Sequence, residues 1–204
     1  MSAMTPVEHR ADPSHVETVE RIVDAAERVF RHYGYSKTTV ADIAKELGMS
    51  TANIYRFFSS KVEIHQALCA RMLGDSMQLA IQIAARPVSA TDRLREFSLR
   101  QYQFMVERML DQEKVHEMVL VAIERDWDVI DRYVDELQVI AAGIIAEGIA
   151  AGEFRNMDPA QAAQLFFSAT ISLHHPMIIS ECTRKSNRAS PEDLTDFALR
   201  ALRA

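Results

Sequence analysis

The chain has 204 residues, of which 48% are hydrophobic and 25% charged, with 6 Gly, 6 Pro, 10 Met and a formal net charge of −6. Two cysteines exclude a disulfide framework and a cysteine-based zinc site. No apolar run approaches the ~20 residues that a spanning helix needs, and an acidic chain is not one that binds nucleic acid over its whole surface. Sparse Gly and Pro, with few β-branched runs alternating with polar residues, predict an all-α protein.

Residues 1–15 are polar, carry Pro6 and Pro13, and show no periodicity, so a flexible arm is expected. A helix over 16–33 follows, with Val19, Ile22, Val23, Ala26, Val29, Phe30 and Tyr33 at helical spacing and Gly34 at its end. Thr39 with Asp42 three residues on is a capping-box pattern that opens a second helix. Ile43, Ala44 and Leu47 give that helix an apolar face. Gly48 breaks it, Met49 plugs the turn, and Ser50 caps a third helix over 51–57. The third helix buries Ile54 and either Phe57 or Phe58. A small Ala four residues before the Gly and an apolar residue six after it let two helices cross closely around a closed corner. This is the sequence logic of a helix-turn-helix, whose second helix enters the DNA major groove.

Ser60 with Glu63 repeats the capping box and opens a long helix over 61–85, which Arg86-Pro87 stops. Ser89 with Asp92, or Thr91, opens a helix over 91–110. After a polar break at 111–113 come a short helix over 115–122 and a long one over 124–151. Trp127, Ile130, Val134, Leu137, Ala141 and Ile144 step along the long helix, and Gly152 ends it. Asp158-Pro159 pairs a cap with a first-turn proline and opens a helix carrying Leu165, Phe166, Ala169, Thr170 and Leu173, which Pro176 kinks or ends. Residues 182–189 read as loop, and Ser190-Pro191 opens a last helix through 202. The helices over 158–177 and 191–202 each have an apolar face, and two-fold pairing of them would make a four-helix bundle and a homodimer.

Charge is uneven along the chain. Residues 21–61 carry seven positive and four negative side chains, a net of +3 in a chain of −6. A modestly basic module on an acidic body suits DNA binding by one end. The boundary falls inside the helix over 61–85 rather than in a linker, dividing the chain into an arm (1–15), a helix-turn-helix domain (16–62) and a helical body (63–204).

The set Ala25-Ala26, Phe30, Gly34-Tyr35, Thr38-Thr39-Val40, Asp42-Ile43-Ala44, Leu47-Gly48-Met49-Ser50, Ile54-Tyr55, Phe58 and Ser60-Lys61 resembles the tetracycline-repressor (TetR) family. The resemblance covers about residues 22–68. It implies a dimeric, ligand-responsive transcription factor, usually a repressor, with the body as ligand-binding and dimerisation domain. Two departures stand out. Ala52 is followed by polar Asn53, which bears on the bases read. Glu63 follows Val62, where the family commonly has an acidic residue directly after the lysine.

Thr51, Asn53 and Arg56 point away from the Ile54 face and are candidates for base or phosphate contact. Thr38 and Thr39 suit helix capping, phosphate contact or both. Ser50 is counted with this set, and Lys37 is either a backbone contact or solvated. The resemblance implies phosphate contacts for Tyr55 and Lys61. In the body, Met105, Met109, Trp127, Phe166 and Thr170 rank first as ligand-binding candidates, with ordinary core as the alternative. Cys69 and Cys182 read as inert thiols. Adjacent His174 and His175, like His116 and Glu117, diverge by about 100° on a helix and do not chelate together, so no metal site is assigned. One of the two histidines is expected to face the pocket or the dimer.

These readings combine into a palindrome-binding homodimeric repressor, cytoplasmic, with no catalytic residues and no cofactor. Its partners are an operator DNA and a small, largely apolar effector, with no membrane. The alternative is a helical carrier or enzyme that keeps a helix-turn-helix as scaffold.

Overall fold

The computed structural model describes residues 13–110, 113–124, 128–183, 185 and 187–203. The predicted arm and the break at 111–113 fall largely outside them. The described chain is all-α and forms two compact units, one ending at Leu68 and one beginning at Cys69.

The first unit contains α1 (Pro13–Tyr33), α2 (Val40–Glu46), α3 (Thr51–Ile54) and the start of α4 (Lys61–Ala84). Helix α1 begins three residues before the predicted start, so Pro13–His15 are helical rather than part of an arm. Its buried stripe is Ile22, Val23, Ala25, Ala26, Val29 and Phe30. Ile43, Ala44, Ile54, Phe58, Ile64 and Leu68 join these residues in the unit's core. Tyr33, expected on the apolar face, is 55% exposed. The chain turns at Gly34, where φ is 87°, and Tyr35 is buried instead, its ring 5.3 Å from Phe30 and 4.4 Å from His65.

The α2–α3 turn follows its local chemistry. The N–H of Gly48 donates to Lys45 O at 3.1 Å and that of Met49 to Ala44 O at 2.9 Å, with Gly48 at φ 64°. This pair of bonds satisfies the last carbonyls of α2 and needs a left-handed residue between them. Helix α3 is shorter than the predicted 51–57. The N–H groups of Arg56 and Phe57 bond Asn53 O and Ile54 O, three residues back, and so tighten the end into turn geometry.

The second unit contains the rest of α4, α5 (Ala90–Met105), a π-helical turn Val106–Leu110, α6 (Glu113–Glu124), α7 (Asp128–Ala150), α8 (Pro159–Ala169), a 3₁₀ turn Ile171–Leu173, α9 (Pro176–Thr183) and α10 (Pro191–Leu202). Its core is built from α5, α7, α8 and α10: Leu94, Phe97, Leu137, Ala141, Ile144, Ile145, Ala162, Ala163, Phe166, Ala198, Leu199 and Leu202. Pro176 neither kinks nor ends the preceding helix. The 3₁₀ turn intervenes and Pro176 opens α9, where its missing N–H leaves nothing unsatisfied.

Polar ties fix the ends of these helices. The Glu153 carboxylate accepts from Ala90 N–H, Thr91 N–H and Thr91 Oγ1 at 2.8–2.9 Å, and so caps α5 from the loop after α7. Burial raises the Glu153 pKa, but these donors outweigh it and hold the carboxyl below its usual range, helped by Arg93. Buried Arg93 donates to Ala84 O at 2.8 Å and pairs with Glu147 at 2.7 Å. Among the described residues no helix is long and apolar enough to cross a membrane.

Candidate nucleic-acid face and internal cavity

In the first unit, Thr39 and Ser50 occupy the N-caps of α2 and α3. The Thr39 side chain accepts from Asp42 N–H, and its own N–H donates to the Asp42 carboxylate at 2.8 Å. Bonding from Thr39, with Lys45 nearby, keeps the Asp42 pKa low against a small desolvation effect. Ser50 Oγ accepts from Asn53 N–H at 3.2 Å. Beyond these caps, Lys37, Thr51, Tyr55 and Arg56 are exposed, Tyr55 at 54%, and Asn53 is half-buried. This places two helix N-termini and five of the candidate side chains at or near the surface.

Two of the candidates have inward partners. Thr38 is buried, and its hydroxyl donates to Gly34 O at 2.8 Å. It therefore stabilises the α1–α2 connection, and α2 is capped by Thr39. Half-buried Lys61 donates from Nζ to Tyr35 O and Thr38 O, each at 2.9 Å, and lies 4.2 Å from the centre of the Tyr35 ring. Its ammonium thus ties the start of α4 to the segment before α2. Tyr35, the third element of this arrangement, was not singled out from sequence as a partner of Lys61. Only the 26-residue separation being closed by the fold brings them together.

The second unit holds a cavity of about 400 Å³ walled by α4, α5, α6, α7, α8, Ile171 of the 3₁₀ turn and the His174–Pro176 segment. Most of its wall is apolar, including Met72, Leu73, Met105, Val119, Ile130, Leu137 and Phe167. Gln101 and Tyr133 supply polar surface but engage each other. Ser76 Oγ bonds Gln101 Oε1 and lies 2.6 Å from Tyr133 OH, and Gln101 Nε2 donates to Ser76 O at 3.0 Å. Burial pushes both the Cys69 thiol and the Tyr133 phenol up to about 12, so both are uncharged, and Cys69 is unreactive as a thiolate. His174 stacks on Phe167 at 4.8 Å, with Nε2 3.1 Å from Thr170 Oγ1. Burial presses its pKa down to about 4.

The second unit matches the model of the tetracyclin repressor-like C-terminal domain over residues 90–195. The first matches bacterial regulatory proteins of the tetR family over residues 22–68. The chain belongs to the tetracycline-repressor family of transcriptional regulators.

This TetR-family chain is 38% identical over 78 residues to ArpR of Pseudomonas putida, a probable helix-turn-helix transcriptional regulator. That match takes in 38% of this chain and about a third, 35%, of that relative's length. In fold it is similar to SmeT, the repressor of the Stenotrophomonas maltophilia multidrug efflux pump SmeDEF. The TM-score is 0.67 at 20% identity, covering 91% of this chain and 90% of that one. It is also similar to the transcriptional regulator FadR of Bacillus subtilis in complex with stearoyl-CoA, with a TM-score of 0.62 at 21% identity, covering 91% and 97% of the two chains.

The five ligand candidates fall in different places. Met105 is on the cavity wall. Phe166 packs into the helix core and is not on the cavity wall, whereas its neighbour Phe167 belongs to the same core and also borders the cavity. Thr170 is buried behind the wall, donating to Phe166 O at 2.7 Å and contacting His174. Trp127 and the Met109 side chain lie outside the described residues. Both His174 and His175 border the cavity, where one was expected to.

Proposed function

We propose that this TetR-family regulator is a homodimeric repressor that holds a palindromic operator with paired α3 helices and releases it when a small, largely apolar molecule occupies the cavity. The cavity carries this reading. A helical unit that packed its side chains completely would have no space to receive a ligand, whereas this one keeps a cavity of about 400 Å³ between its helices. Such a volume and lining are typical of small-molecule sites. The ligand-bound relative FadR and the repressor SmeT support the same reading by fold.

Thr51, Asn53 and Arg56 on and just after α3 are the proposed base and phosphate contacts. Thr39, Ser50, Tyr55 and Lys37 border the backbone, and Lys61 buttresses Thr38 and Tyr35. Helix α4 starts at Lys61 and carries Cys69, Met72 and Leu73 on the cavity wall. A ligand that prefers one position of α4 would alter how two recognition helices fit two half-sites. Such coupling is usually ~1–3 kcal/mol, roughly 5–150-fold in operator affinity. The dimer is proposed to form through α8 and α10, where Leu165 is 57% and Phe197 69% exposed.

Selection of duplexes from random DNA is expected to enrich an inverted repeat, and a metabolite screen on that duplex is expected to find a compound that weakens binding. No enriched duplex removes the regulator reading at the operator level. An enriched duplex whose affinity no compound changes leaves a constitutive DNA-binding protein.

A further inference from the structure

Residues 34–39 join α1 to α2 and belong to no helix, so their path depends on bonds made to side chains and to other segments. Within the segment, Thr38 donates from its N–H to Tyr35 O at 3.3 Å and from its hydroxyl to Gly34 O at 2.8 Å. From outside it, the Lys61 ammonium donates to Tyr35 O and Thr38 O, each at 2.9 Å, across 26 and 23 residues of chain. The ammonium also lies 4.2 Å from the centre of the Tyr35 ring, which is buried beside Phe30 and His65. One cation therefore answers the carbonyls at both ends of a turn and packs on the side chain that anchors that turn. The next residue is Thr39, the cap from which the helix-turn-helix starts.

Such a brace asks for a particular cation. Two acceptors at 2.9 Å and a ring face suit a compact ammonium with hydrogens pointing in several directions. A guanidinium is larger and confines its N–H groups to a plane, so it does not replace the ammonium among the same atoms. A phosphate contact makes the opposite demand. There arginine serves as well as lysine or better, because its fork matches the phosphate oxygens. The TetR resemblance implies a phosphate contact for Lys61, yet this side chain is half-buried and its ammonium donates inward.

We infer that Lys61 is a positioning residue for operator binding: its ammonium sets the path of residues 34–39, and so the placement of α2 and α3 against α1, without neutralising a phosphate. Contacts made by Thr39, Thr51 and Tyr55 then depend on Lys61 although it makes none itself, because a binding face has to be held by its supports to within about half an ångström. That role presupposes the proposed operator binding and adds to it a residue whose charge is used inside the protein.

Operator affinity and its salt dependence separate a brace from a phosphate contact. Both are measured with the full chain on the duplex enriched from random DNA, at a temperature where circular dichroism shows each variant folded. Lys61→Met and Lys61→Arg are each expected to weaken binding by about tenfold or more, the cost of one misplaced contact. The slope of log affinity against log salt is expected to stay within about half a unit of wild type in both, whereas loss of a phosphate contact removes about 0.9. Arg56→Ala, at an exposed cation, supplies that comparison. Wild-type affinity in Lys61→Arg, or a Lys61→Met slope reduced by about 0.9, overturns the inference. If Lys61→Met does not fold, Lys61→Arg decides alone, by weakened binding at an unchanged slope or by wild-type affinity. A wild-type chain that enriches no duplex overturns the operator reading together with this role. A wild-type chain that binds, matched by Lys61→Arg, overturns this role alone.

Discussion

Lys61 shows how one side chain can tie separate segments of a small unit together. Its Nζ satisfies two carbonyls, at Tyr35 and Thr38, and sits over the Tyr35 ring. Hydrogen bonds from a charged donor contribute ~1.5–3 kcal/mol net. Lys61→Met is therefore expected to lower the stability of the first unit by about that much in urea unfolding, before any effect on DNA is counted. Arg56→Ala, at an exposed position, is expected to leave stability unchanged and to flatten the salt dependence of operator binding by about one unit of slope. His174 imposes a pH dependence on the second unit. An unfolded histidine takes a proton near pH 6.5, whereas burial delays protonation of folded His174 to about pH 4. Between these values the unfolded state binds more protons, so stability falls as pH drops from 6.5 towards 4. The loss is on the order of 1–3 kcal/mol, and His174→Gln is expected to remove that part of a pH–stability profile.

At the scale of elements, two helical glycines have opposite roles. Gly74 in α4 has open space where a Cβ would go. Gly74→Ala is expected to stabilise by up to about 1 kcal/mol, because alanine costs less backbone entropy in a helix. On Gly148 in α7, a Cβ would collide with the buried Phe154 ring and lie 2.8 Å from Ala90 Cβ. That close approach lets Glu153, five residues on, reach the N-terminus of α5. Gly148→Ala is expected to destabilise by ~1–3 kcal/mol through overpacking, more than erasing the helical gain. Thermal melts of the two variants should move in opposite directions.

For the whole molecule, self-assembly is expected to use the exposed apolar faces of α8 and α10. Leu165 and Ala169 lie one turn apart on α8, Phe197 and Ala201 one turn apart on α10, and all four are exposed. The opposite faces of both helices are committed to the core through Ala162, Phe166, Ala198 and Leu199. A charge in the middle of a self-paired apolar face would be desolvated without a partner. Phe197→Glu is expected to give a folded monomer in sedimentation velocity and, since a two-fold operator needs two recognition helices, to weaken operator binding. A variant that still sediments as a dimer would place the interface elsewhere.

Features that depend on neighbours within a few residues are legible in the chain itself. Thr39, Ser50, Ser89, Asp158 and Ser190 cap the helices they were read to open. Gly34, Gly48 and Gly152 take positive φ where helices were read to stop. The helix-turn-helix was legible for the same reason, since caps, a left-handed turn and a small-residue crossing are local instructions. Where two local signals compete, the fold chooses between them. Tyr33 fits the α1 period, yet the turn at Gly34 sends Tyr35 inward, and Pro176 proved to be a first-turn residue rather than a terminator. Long-range packing settles which residues of each body helix reach the cavity. Phe166 and Phe167 are adjacent and both join the core, and only the packing of α8 brings Phe167 to the cavity as well.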